Sequence, residues 1–124
     1  MNDEPRHQSY GTPMSEWISL VGELDVDAVG LWQIVSAGRS GFGLEGAALV
    51  DFIRRSLLAH FAYGARPVRH VPGSGYLWTV QPQYGDEPEQ MAEAIIAEWD
   101  AGGRPDPDPG GLWLAIPAIS MQRI

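Results

Sequence analysis

Residues 44–80 read LEGAALVDFIRRSLLAHFAYGARPVRHVPGSGYLWTV, and the change of period inside this stretch decides the fold class. From Leu44 to about Tyr63 the apolar residues recur at helical spacing, with Leu49, Val50, Ile53, Leu57 and Phe61 on one face. Asp51 and Arg55 stand four apart on the other face, in the favourable order for a surface ion pair. Leu44, Ala48, Leu58 and Ala62 share that second face, so this helix is partly apolar all round and is expected at the centre of the molecule. Gly64 supplies its C-terminal stop. Then the period shortens. Arg66 to Val71 reads as a strand, Pro72-Gly73-Ser74-Gly75 as a turn, and Tyr76 to Val80 as a returning strand rich in aromatic and β-branched residues. A long helix followed by a β-hairpin is therefore the centre of the fold. Pro82 ends the second strand or sets it at a sheet edge.

Downstream, Asp86-Glu87-Pro88-Glu89 is a helix start, with acids where the helix dipole favours them and a proline in the first turn. That helix runs to about Asp100. It turns Met91, Ala92, Ile95, Ile96 and Trp99 inward and Glu89, Glu93 and Asp100 outward, and Gly102-Gly103 ends it. Arg104 to Gly111 alternates proline with aspartate and is irregular surface chain. Leu112 to Ile116 has no polar member, the pattern of a strand inside a sheet, and it should pair with a hairpin strand.

Upstream, Trp17, Ile18, Leu20, Val21 and Leu24 form an apolar set that fits a helix capped by Thr12 or Ser15, or else a strand over Trp17–Val21. Asp25 or Asp27 caps a second helix with Val29, Trp32, Ile34 and Val35 on its buried side, closed by Gly38. The expected class is α+β: a small, mostly antiparallel sheet of about three strands covered by three to four helices. Residues 1–12 are polar and aperiodic and read as a disordered tail, which leaves 13–124 as one α+β domain.

Composition narrows the function classes. The chain has 124 residues, which suits one domain with one core. It has no cysteine, hence no disulfide, thiolate zinc site or cysteine nucleophile. No apolar run approaches the length that spans a bilayer, and the acidic N-terminus lacks a signal-peptide core, so a cytoplasmic location is expected. The net charge of −8 repels phosphate backbones and anionic membranes and favours a protein partner over nucleic acid. A homodimer is compatible with the same surface. Lysine is absent and all eight basic residues are Arg, a bias of composition that carries little functional weight.

Gly38-Arg39-Ser40-Gly41-Phe42-Gly43 precedes a helix, where free backbone N–H groups could hold an anion. It follows a helix rather than a strand and lacks the Gly-Lys-Ser/Thr of a P-loop, so it reads first as a helix–helix connector. With Trp17–Val21 as a strand, the Gly-x-x-Gly turn from Gly38 to Gly41 followed by two strands and a helix resembles the element order of KH RNA-binding domains, which implies a nucleic-acid clamp at that loop. With Trp17–Val21 as a helix, three helices and a hairpin resemble a winged helix.

Arg54, Arg55, Arg66, Arg69 and His70 make the middle of the chain locally positive. Either they pair with the chain's own acids or they form an anion-binding patch. His60 sits at the edge of the long helix's apolar face and reads as a core-edge residue. Asp106 and Asp108 lack the rest of a calcium-loop pattern, and no metal ligand set or cofactor motif is present. The ligand-binding candidates are thus Arg39, Ser40, Arg66, Arg69, His70 and Trp78, with no catalytic constellation. The leading expectation is a non-enzymatic, acidic binding or regulatory module that engages a protein partner. The alternatives are a nucleic-acid-binding domain, and an anion binder or small enzyme using Arg66, Arg69 and His70.

Overall fold

A computed structural model describes residues 4–23, 28–73 and 78–116. Its element order is α1 (Met14–Glu23), β1 (Ala28–Gly30), α2 (Leu31–Ser36), a π-helical turn (Ala37–Gly41), α3 (Gly46–Ala62), β2 (Arg66–His70), β3 (Trp78–Val80), a 3₁₀ turn (Pro82–Tyr84), α4 (Pro88–Ala101) and β4 (Trp113–Ala115). The fold is α+β, with four α-helices and one antiparallel sheet among the described residues. The sheet has four strands rather than about three, in the order β1-β4-β2-β3.

The apolar run at 112–116 behaves as its composition requires. β4 is interior, pairing antiparallel with β1 (Val29 opposite Leu114) and with β2 (Pro67 opposite Leu114). Its backbone groups are satisfied on both sides, so it needs no polar residue. The hairpin is present as β2 and β3, with Arg69 opposite Thr79. The expected loop residues Ser74 and Gly75, and Tyr76 and Leu77 of the expected second strand, lie outside the described residues.

Two expectations are corrected. First, Trp17–Val21 is helical, inside α1, so the KH-like order, which needs a strand there, is not the order of this chain. The order that resembles a winged helix is kept by α1, α2, α3 and the hairpin, but β4 lies between β1 and β2, and α4 follows. Second, the helix expected from Asp25 or Asp27 starts only at Leu31, because Ala28–Gly30 is drawn out as β1 by pairing with β4. Asp25 and Asp27 themselves lie outside the described residues. The helix does not close at Gly38 either. It passes into the π turn, where Phe42 N–H bonds the Ala37 carbonyl at 2.9 Å. Residues 4–12 make specific contacts with one another and with α1. Arg6 bridges Pro13, His7 N–H donates to the Thr12 carbonyl at 2.8 Å, and Met14 N–H donates to the Pro5 carbonyl at 2.9 Å. The His7 ring stacks on Trp17, with centroids 4.5 Å apart. Polar composition hid this segment, because backbone bonds and one ring hold it rather than a row of apolar side chains.

The core lies between the helices and one face of the sheet. α3 is central to it, and its buried arc is wider than the stripe Leu49, Ile53, Leu57, Phe61: Phe52, Ser56 and His60 are buried as well. α4 contributes Met91, Ala92, Ile95, Ile96 and Trp99, all as its periodicity predicts. Arg54 of α3 pairs with Glu93 of α4 on the surface. Arg55 and Asp51 form the expected i, i+4 pair at 3.7 Å. No helix among the described residues is long and apolar enough to cross a membrane.

Candidate functional site

The six candidate residues fall in three places. Arg39 is on the π turn, and its guanidinium donates to the Arg104 carbonyl at 2.7 Å, pairs with Asp106 and lies 5.6 Å from the Trp99 ring centroid. Arg104 stands at the same 5.6 Å from that ring, so two guanidinium groups and Trp99 pin down the proline-rich segment after α4. Ser40 is exposed beside Arg39. Arg69 points to the same side of β2 as Pro67 and meets the Tyr84 hydroxyl, which donates to Glu98 Oε1 at 2.7 Å. Burial, then the Glu98 carboxylate, raises the Tyr84 phenol above its ordinary value, and Arg69 opposes them.

Arg66, His70 and Trp78 come together on the opposite face of the sheet. His70 and Trp78 face each other across the β2–β3 register with ring centroids 4.3 Å apart, and Trp113 of β4 joins them at 5.4 Å from Trp78. Val68 and Ala115 complete a second, smaller core in which Trp78 is buried. Arg66 stands 3.7 Å from Asp86. The arrangement packs these aromatics on one another.

Space exists elsewhere. A pocket of about 240 Å³ lies where α1, β1, α2 and α3 meet. Trp17 and Ile18 of α1, with Ala28 and Val29 of β1, form one side of it. Ile34 of α2 and Ala37 of the π turn form another, and Phe52, Ser56 and His60 of α3 form the third. Gln33 is at its rim, held there because its Oε1 accepts the Gly30 N–H at 2.8 Å. No acid and no Arg lines the pocket among the described residues.

Local sequence explains why the elements stand apart here. Trp32 folds its indole over Gly30, where any Cβ would collide with the ring. That close approach starts α2 directly after β1 with no loop between them. Gly38 sits under α3, and a Cβ there would come within 2.6 Å of Leu49 Cδ1 and 2.9 Å of Phe52 Cδ2. The wider π turn spends five residues on one turn, and such turns interrupt regular packing and recur at functional sites. On the far side of Trp17, the His7 ring and an edge-on Phe42, 5.7 Å away, hold the indole wall in place.

The polar atom of interest is on His60, which is 6% exposed. Its Nδ1 lies 2.8 Å from the Ser56 carbonyl, an acceptor, so Nδ1 carries the proton. Burial pushes the imidazole below its ordinary value, with the Ser56 carbonyl opposing, so the ring is neutral near pH 7. Nε2 is therefore a lone-pair acceptor. It is buried and has no hydrogen-bond partner, alone in that among the pocket's described lining. Sequence reading placed His60 at the edge of the apolar face and did not single it out. The available signal was the repeat Phe52, Ser56, His60 at four-residue intervals, a second stripe beside the main one.

Among the described residues, no group of three or more His, Cys, Asp and Glu could hold a metal ion. Comparisons of the chain with family models, with curated proteins and with solved structures found no match.

Proposed function

We propose that the protein is a small-ligand-binding module that holds a neutral, largely apolar molecule in the pocket bordered by α1, β1, α2 and α3. The observation that carries this reading is the pocket itself: about 240 Å³, bordered by four elements and lined mostly by apolar side chains. Ligand sites are concave, mostly apolar and supplied with a few polar groups. Trp17 and Phe52 supply aromatic wall, and Gln33, Ser56 and His60 supply the polar groups. The wall holds no paired acid and base and no activated nucleophile among the described residues, which supports binding without chemistry.

The wider setting we propose is cytoplasmic, with a protein rather than a nucleic acid as any macromolecular partner. The support for that partner class is the net charge of −8.

The test is thermal unfolding with indole as a probe, read beside quenching of tryptophan fluorescence. A ligand that binds only the folded state stabilises it by about 2.7 kcal/mol at a hundred times its Kd, so Tm should rise with dose. Ala37→Leu, which pushes a larger side chain into the pocket, should fold and lose the rise. An unchanged Tm for the native chain with both indole and its hydrocarbon analogue indene, or an equal rise in Ala37→Leu, defeats the reading.

A further inference from the structure

We propose that the molecule held in the pocket is a short, uncharged peptide in extended form, which pairs with the free edge of β1 at Ala28 and sends one apolar side chain inward. This rests on the binding reading above and names the class of its ligand.

The register fixes where the backbone groups of β1 point. β1 is an edge strand, because only β4 lies beside it. Leu31 N–H bonds the Leu112 carbonyl at 2.9 Å, and Val29 stands opposite Leu114 in the same register. Antiparallel pairs alternate between bonded and non-bonded. Val29 is therefore bonded to β4, and the N–H and C=O groups of Ala28 and Gly30 point away from β4, off the edge. Gly30 shows this directly, since its N–H donates to Gln33 Oε1 at 2.8 Å although Trp113 stands opposite it. The Ala28 N–H and C=O have no hydrogen-bond partner among the described residues.

Two observations put the pocket on this edge. Gln33 lines the pocket, and its Oε1 sits on the outward Gly30 N–H. Ala28 and Val29 also both line it, although neighbouring strand residues take opposite faces of a sheet. Val29 packs with the main core and Ala28 with the smaller core around Trp78. A single opening reaches both at the strand's edge, where the outward groups of Ala28 stand. Ala28 is half-buried rather than sealed.

An extended residue opposite Ala28 supplies what the edge lacks. Its N–H donates to the Ala28 carbonyl, and its carbonyl accepts from the Ala28 N–H. Gln33 already places an amide carbonyl on the next outward N–H of the strand. Residues directly opposite share a face, so the ligand residue opposite Val29 turns its side chain to the pocket side. There Ile34 and Phe52 offer apolar wall, and about 240 Å³ exceeds the roughly 150 Å³ that accommodates benzene, so one Leu or Phe side chain fits. No charged side chain lines the pocket among the described residues, so a charged group would enter uncompensated.

The probe is N-acetyl-Leu-Ala-Leu N-methylamide, compared by calorimetric titration of the full chain with the same molecule carrying an ester oxygen in place of the alanine N–H. The shape is kept and one donor is lost, so the ester should bind roughly tenfold more weakly. At saturation with the peptide, the Ala28 amide should gain protection from hydrogen exchange. Ala28→Pro removes the outward N–H where an edge strand tolerates proline. It should fold, and bind the peptide at least about tenfold more weakly. Equal Kd values for peptide and ester, unchanged exchange at Ala28, or native-like peptide binding by a folded Ala28→Pro overturns the edge pairing and leaves the pocket reading standing. So does a chain that ignores the peptide while indole or indene raises its Tm. No response to peptide, indole or indene overturns both. If Ala28→Pro does not fold, the ester and exchange measurements decide.

Discussion

On the flank of α3 that meets α4, Leu57 is fully buried, Phe61 lies one turn further on, and Arg54 reaches across to Glu93. On the flank that meets α1 and α2, Phe52, Ser56 and His60 border open space. The same helix thus packs against α4 on one side and, on the other, packs against α1 beside an opening. The difference comes from its neighbours. α4 offers a regular row of Met91, Ile95 and Trp99 along a whole helix, and two regular rows interdigitate. The other side is met by α1, which also packs on α3, and beside it by a short helix, a π turn and a three-residue strand, which have no common repeat to match. The opening lies where α1 gives way to these shorter segments.

The largest effect should come from the packed flank. Leu57→Ala removes buried methyl groups where α4 cannot collapse to follow, and should lower stability by about 2–5 kcal/mol in denaturant melts. A loss below about 1 kcal/mol would mean that this flank is as loose as the other, and the contrast would fail.

An intermediate effect is expected between the two flanks. Gly38→Ala places a methyl group against Leu49 and Phe52. Overpacking of this kind costs about 1–3 kcal/mol, and helix propensity returns up to about 1 kcal/mol in favour of Ala. The expected net is a loss of up to about 2 kcal/mol together with weaker indole binding, because the methyl group presses on Phe52, which lines the pocket. Stability unchanged and binding unchanged would show that the π turn moves as a unit instead.

The smallest effect belongs to the open flank. His60→Phe exchanges a half-satisfied ring for an apolar one, so stability at pH 7 should change by less than about 1 kcal/mol. Its pH dependence should change sign-specifically. The imidazole's value is lowered in the folded chain, so below about pH 6.5 the unfolded chain binds the extra proton first. The native protein's stability from this group is complete above that pH and is lost as pH falls toward the lowered folded value. His60→Phe should lack that loss. Parallel stability curves for the two proteins between pH 7 and 5 would show that His60 is solvated in the folded state.

Much of the packed region was legible in the residues. α4's inward set, the hairpin and the interior position of β4 each follow from a local rule: period, turn chemistry, or a run with no polar member. The candidate residues drawn from charge and rarity fared differently. Arg66, His70 and Trp78 do share a face, but Arg69 alternates to the other side of β2, and Arg39 is engaged with Arg104 and Asp106. Alternation along a strand is readable, whereas the partner of a long cationic side chain is set by whichever acid the fold brings near.

What the sequence determined by itself was the class of the fold and the elements long enough to show a period: α3, the hairpin strands, α4 and the apolar strand at 112–116. Only the tertiary structure decided the rest. Ala28–Gly30 is a strand because β4 offers it an unpaired edge, and three residues are too few to carry a period of two. The turn of residues 4–12 is held by backbone bonds that no side-chain pattern announces. The pocket is a place where atoms are missing. Gly30 and Gly38 shape its border only once the fold brings Trp32, Leu49 and Phe52 against them. His60 has its Nδ1 taken by the Ser56 carbonyl one turn earlier, a pairing that exists only once α3 has formed.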